Sequence, residues 1–103
     1  GLDPAATKAN LKTIIQRLKK DNVKVLLMGM RALPNLGVEY VTAFEQVYPD
    51  LAAEENVALY PFLLEGVAAM IDLNQGDRIH PNAQGVDVIV KGLLPYVKKL
   101  IGQ

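Results

Sequence analysis

The sequence predicts an α/β fold built on a parallel sheet, and three observations carry that reading. Segments with helical apolar spacing alternate with short β-branched apolar segments in the order helix, strand, helix, strand, helix, which is the alternation that βαβ units produce. The run Val23-Lys24-Val25-Leu26-Leu27-Met28-Gly29-Met30 is apolar at successive positions after Lys24, so both of its faces call for burial, as in a parallel sheet with helices on each side. Turn-forming residues punctuate the segments at Asp21-Asn22, at Pro34-Asn35-Leu36-Gly37 and between Asp72 and Asn82.

Each element has its own justification. Asp3-Pro4 reads as an N-cap followed by proline at the first helical position, where the missing N–H costs nothing. Leu11, Ile14, Ile15 and Leu18 then form an apolar stripe, and Lys19 and Lys20 suit the negative end of the helix dipole. The first strand is Val23 to Met30, and Arg31 to Gly37 is the irregular loop at its C-terminal end. A second helix is expected from about Val38 to Asn56, with Val41, Phe44, Tyr48 and Leu51 inward and a kink or restart at Pro49. Val57 to Tyr60 reads as the second strand, Phe62 to Met70 as a segment with room for a short helix, and Asp72 to Asn82 as a polar loop. The final helix carries the clearest stripe, Val86, Ile89, Val90, Leu93, Val97, Leu100 and Ile101, with a local interruption at Pro95. Two short parallel strands do not close an α/β layer, because a strand apolar on both faces also needs neighbours along its edges. Either copies associate through their sheet edges, or further strands come from another polypeptide segment.

Composition narrows the chemistry. In 103 residues there is no cysteine, no tryptophan and no serine, which excludes a disulfide framework, a thiolate metal site and a Cys or Ser nucleophile within the chain itself. Eleven Lys and Arg balance eleven Asp and Glu, and no basic run is present to track a phosphate backbone, so no nucleic-acid partner is expected. No apolar stretch approaches the roughly 20 residues of a membrane span, and Gly1-Leu2-Asp3-Pro4 has no signal-peptide character. Gly29, Gly37 and Gly66 lack phosphate-loop spacing. Asp72, Asp77 and His80 lack the further ligands a metal site requires, so no metal and no cofactor are expected. Glu54-Glu55 reads as a solvated helix end, the four tyrosines as packing residues, and Thr7, Thr13 and Thr42 as helical residues without an adjacent base.

The single histidine, His80, lies in Gly76-Asp77-Arg78-Ile79-His80-Pro81-Asn82. Pro81 holds His80 out of the α region, and Asn82 is a good N-cap for the final helix. The imidazole therefore stands on a loop that runs into a helix N-terminus, with Asp77 three residues earlier. A turn between the two lets the carboxylate accept from Nδ1–H and leaves Nε2 free, the orientation a general base needs. The positive end of the helix dipole disfavours an imidazolium, and a carboxylate partner offsets that. On spacing alone a capping or surface role for His80 stands beside the catalytic one.

The block Asp77-Arg78-Ile79-His80-Pro81-Asn82, followed by Gly85 and an amphipathic helix, resembles the last conserved block of the SGNH hydrolases, also called GDSL esterases or lipases. The likeness continues through Val25 to Met30, Pro34-Asn35-Leu36-Gly37, Tyr40, Phe44, Tyr48 to Ala52 and Pro61 to Leu64, and is similar to the branch of bacterial arylesterases and thioesterase-lysophospholipases. It implies a three-layer α/β/α flavodoxin-like fold in which residues 1–103 form the C-terminal half of one domain, Gly1 to Pro4 lying just beyond the family's G-x-N-D block. It also implies that Asp77 orients the imidazole and that His80 takes and returns the serine proton. Met30, Leu33 and Pro34, on or beside a loop bordering the acyl cleft, would contact substrate, and the stretch from Leu64 to Met70 would form another wall. The nucleophile serine and the oxyanion glycine and asparagine are missing here and would come from an N-terminal fragment as partner. The substrate would be a small ester, carboxylic or thio, with a small to medium acyl group. A periplasmic or secreted location is expected ahead of a cytoplasmic one. The rival reading is a non-catalytic α/β interaction module that completes its sheet by homodimerisation.

Overall fold

A computed structural model describes residues 2–103; Gly1 lies outside the described residues. Three helices and two strands follow in the order α1 (Pro4–Lys20), β1 (Leu26–Met28), α2 (Val38–Glu55), β2 (Ala58–Tyr60) and α3 (Ala83–Leu100), with single 3-10 turns at Pro34–Leu36 and Ile71–Leu73. The strands are parallel, with Leu26 opposite Ala58, Leu27 opposite Leu59 and Met28 opposite Tyr60.

Residue alternation along the strands sets the layers. Leu27 and Leu59 point to one face and pack with Ile15 of α1 and Val47, Tyr48, Leu51 and Ala52 of α2. Tyr60 points to the other face, where its ring meets Tyr96 of α3 edge-on at 4.8 Å between centroids. The result is a three-layer arrangement with α1 and α2 on one side of the sheet and α3 on the other. It is thin, 41 × 37 × 16 Å, with a radius of gyration of 14.9 Å, where a compact domain of this length reaches about 13 Å.

The N-cap expected for α1 is present. Asp3 accepts from the Ala5 N–H at 3.1 Å and Pro4 opens α1. Asn56, in the left-handed conformation at φ 51°, ends α2, as Asn does at such caps. Lys8 of α1 pairs with the exposed Glu54 of α2 at 2.8 Å, and the Lys19 ammonium donates to the Glu55 carbonyl, so the solvated end of α2 also contacts α1.

Several boundaries differ from the sequence reading. β1 contains three residues instead of the eight from Val23 to Met30, matching the three residues of its one neighbour, β2; past Met28 the Gly29 N–H still donates to the Tyr60 carbonyl and the Gly29 carbonyl accepts from Leu63. Only glycine fits there, since an added Cβ would lie 2.1 Å from the Pro61 oxygen. α2 and α3 run unbroken through Pro49 and Pro95, each losing one backbone donor while packing holds the helix. No short helix forms in Phe62–Met70, which is a series of turns. On α1, Ile15 is buried and Leu11 half-buried, whereas Ile14 and Leu18 of the expected stripe are exposed. On α3, Ile89, Leu93, Val97 and Leu100 are half-buried, while Val86, Val90 and Ile101 are exposed.

Candidate active site

The loop from Asn74 to Asn82 is built by local hydrogen bonds. The Gln75 N–H donates to the His80 carbonyl at 2.8 Å and the Arg78 N–H to the Gln75 carbonyl at 2.9 Å, closing a turn flanked by an antiparallel bridge between Asn74 and Pro81. Arg78 occupies the left-handed region at φ 61°, which lets the backbone reverse between Asp77 and His80. Asp77 Oδ1 accepts from the N–H groups of Ile79 and His80 at 2.9 and 3.0 Å. Its other oxygen, Oδ2, lies 2.6 Å from His80 Nδ1.

This geometry determines the electrostatics. The bond to His80, followed by the two backbone N–H donors, holds the Asp77 carboxyl down at about 2, so the group is a carboxylate at neutral pH and Nδ1 is the donor to it. Nε2 makes no hydrogen bond among the described residues, and the His80 side chain is 71% exposed. An oriented imidazole with its outer nitrogen free can accept a proton from a hydroxyl placed against it.

The dyad is fixed to the fold through α3. Asn82 Oδ1 caps the helix by accepting from the Gly85 N–H at 2.9 Å, while its amide nitrogen donates to the carbonyls of Asp72 at 2.9 Å and Asn74 at 3.3 Å. The Asn74 amide donates to the carbonyls of Val67 and Met70, both at 2.8 Å, and Val67 is fully buried. Gly85 lies so close to the loop that a Cβ would approach the Leu73 oxygen to 2.1 Å. Asn82 as N-cap was legible in the sequence. The bracing by Asn74 and the close approach at Gly85 were not, because a single asparagine or glycine carries no signal about a partner four to twelve residues away.

The other sequence-predicted contacts lie elsewhere. Met30 is half-buried against the α1–α2 core. Leu33 is 64% exposed, and Pro34 begins the 3-10 turn on the same loop. That loop is held at its start by Arg31, whose guanidinium lies 4.3 Å over the Phe62 ring and whose Nε is 3.8 Å from Glu45. The cleft next to the dyad is lined by Ala69, Met70, Ile71, Asn74 and Arg78; it includes part of the expected Leu64 to Met70 wall and none of Met30, Leu33 and Pro34. No cluster of three metal-ligating side chains occurs among the described residues.

No family model matches the sequence. Individual proteins do. The chain is 38% identical over 101 residues to esterase TesA of Pseudomonas aeruginosa, covering 98% of this chain and 50% of that protein. It is 36% identical over 101 residues to thioesterase 1/protease 1/lysophospholipase L1 of Escherichia coli K12, covering 98% and 49%. A crystal structure of TesA superposes with a TM-score of 0.90 at 38% identity over 97% of this chain and 56% of that one. The crystal structure of AlinE4, an SGNH-hydrolase family esterase, superposes at 0.72 with 44% identity over 96% and 52%. This chain is an SGNH-hydrolase homologue. Its helices and parallel strands are those of the SGNH hydrolase fold, and it spans about half the length of the relatives it matches. Among the described residues no helix is long and apolar enough to cross a membrane.

Proposed function

We propose that this chain supplies the general base and its orienting carboxylate to a serine hydrolase acting on carboxylic esters or thioesters of small to medium acyl groups. The observation that carries the reading is the 2.6 Å contact between His80 Nδ1 and Asp77 Oδ2 with Nε2 left free, in a homologue of SGNH esterases. The chain has no serine, so the nucleophile, together with an oxyanion-hole glycine and asparagine, belongs to a polypeptide segment outside these residues and is the partner the site requires.

The geometry supports the following steps. His80 Nε2 takes the proton of the serine hydroxyl as its oxygen attacks the acyl carbon. The imidazolium so formed is balanced by Asp77, whose carboxylate is ionised and already aligned by two backbone donors. The proton then passes to the departing alcohol or thiol, leaving the acyl group on serine. Water repeats the sequence and returns the free enzyme. Leu33 and the half-buried Met30 contribute apolar surface for the acyl group at the C-terminal end of β1, where open α/β sheets place their ligands, and Pro34 stiffens that loop.

The test separates the chain from the assembly. The isolated 103-residue chain is expected to leave p-nitrophenyl acetate intact, and the assembly with the serine-bearing segment is expected to hydrolyse it. Turnover by the rigorously purified chain, or an assembly indifferent to His80→Ala, refutes the reading.

A further inference from the structure

The cleft that shares the Asp77–His80 turn has a volume of about 320 Å3, within the range of small-molecule sites. Its walls are largely apolar: Met70 and Ile71 are 53% and 73% exposed, and the Asn74 amide nitrogen is committed to the Val67 and Met70 carbonyls. Arg78 is the charged residue in its lining. Its guanidinium takes part in none of the ion pairs among the described residues, which are Lys8 with Glu54, Arg31 with Glu45 and His80 with Asp77. The neighbouring Asp77 carboxylate is occupied on both oxygens, by His80 on one and by two backbone donors on the other. An unpaired cation therefore faces an apolar recess, a combination that suits a ligand with one apolar part and one anionic group.

The backbone adds a second observation. Arg78 sits at φ 61° and Ala69, on the same cleft, at φ 64°, a conformation that glycine adopts freely and side chains rarely do. The turn itself would be relieved by glycine at position 78, so the arginine is not there for the turn. Only Ile79 separates Arg78 from His80, and two residue steps span at most about 7 Å between Cα atoms, within the reach of one ester.

We propose that this cleft is a substrate subsite for esters carrying an anionic group, a carboxylate or a phosphate, with Arg78 as the specificity-determining cation. The proposal rests on the serine-esterase reading of Asp77 and His80. It is tested in the complete hydrolase containing this chain by comparing kcat/KM for mono-p-nitrophenyl succinate, butyryl glycerol phosphate and the neutral p-nitrophenyl butyrate. Arg78→Gln and Arg78→Gly, the latter suited to the observed φ, are expected to lower the ratio of anionic to neutral kcat/KM at least tenfold, chiefly through KM, and Arg78→Lys is expected to restore most of it. A larger loss on the succinate ester assigns the subsite to carboxylates, and a larger loss on the phosphate ester to phosphates. A ratio unchanged in both glutamine and glycine variants overturns the proposal. His80→Ala is run alongside: full hydrolysis by that variant overturns the esterase reading instead, whatever Arg78 does.

Discussion

The two sides of the sheet are organised by different physics. On the α1–α2 side, Ile15, Leu27, Val47, Tyr48, Leu51 and Ala52 form a buried cluster, and position is set by packing. On the α3 side the helix leaves Val86, Val90, Leu94 and Ile101 exposed, yet its N-terminus carries the Asp77–His80 pair, positioned by hydrogen bonds from Asn74, Asn82 and Asp77 that stay within a dozen residues. The largest buried cluster lies away from Asp77 and His80, and the proposed chemistry sits on a locally self-supporting loop. Substitutions on the two sides are therefore expected to separate folding from function.

The largest effect is expected from His80→Ala in the proposed assembly with the serine-bearing segment. Losing the general base of a triad lowers turnover on the order of 10⁴-fold or more. Because the side chain is 71% exposed, the unfolding midpoint in urea should scarcely move. Loss of folding in step with activity would break the contrast between the two sides.

Leu51→Ala is the opposite case. Leu51 is fully buried, and truncating such a leucine costs about 2–5 kcal/mol. Urea unfolding should show that loss while kcat of the folded fraction is retained, since Leu51 has no contact with the loop that holds His80. Gly85→Ala sharpens the comparison from the other side. Forcing a Cβ to within 2.1 Å of the Leu73 oxygen costs about 1–3 kcal/mol by overpacking, but the displaced carbonyl accepts from the Asn82 N–H at the end of the dyad loop, so kcat should fall together with stability. Equal kcat in the Leu51 and Gly85 variants would show that the loop does not depend on its seat against α3.

What could be read from the sequence follows the same division. The Asp77–His80 pairing was legible because every contact that makes it is local: Asp-x-x-His before a proline and an N-cap restricts the turn to few shapes. The helix starts at Pro4 and Ala83 were legible for the same reason. Burial on α1 and α3 was only partly so. Ile14, Leu18, Val86 and Val90 have the right period for an inward stripe and yet are exposed, because periodicity defines an apolar face and not what lies against it. Arg78 at φ 61° could not be foreseen, since a left-handed arginine is disfavoured locally and is imposed by the bonds on either side of it. The continuity of α2 and α3 through Pro49 and Pro95 was missed because tertiary packing outweighs one lost backbone donor.

A smaller effect is expected from Asn82→Ala. The cap is worth about 1 kcal/mol, and the variant also frees the Asp72 and Asn74 carbonyls. Thermal unfolding should register a modest loss, and kcat should drop by more than the Leu51 variant shows, since the cap side chain is also a strut of the loop.

The finest test concerns the charge on Asp77. Its carboxyl is held at about 2, below the ordinary 3.8, first by the bond to His80 and then by the N–H groups of Ile79 and His80. A group whose folded value is depressed stabilises the fold above its unfolded value and loses that contribution as pH falls through the folded one. The turn is therefore expected to keep its carboxylate from neutrality down to about pH 4 and to lose it progressively toward pH 2, so any change of activity between pH 5 and 9 belongs to another group. Carbon-13 NMR of the Asp77 carboxyl in the assembled protein should titrate near 2. In His80→Ala the largest cause is gone while the two backbone donors remain, so the midpoint should rise but stay below the ordinary value. A midpoint that does not move on removing His80 would mean that the backbone alone orders this carboxylate and that the imidazole is not its partner.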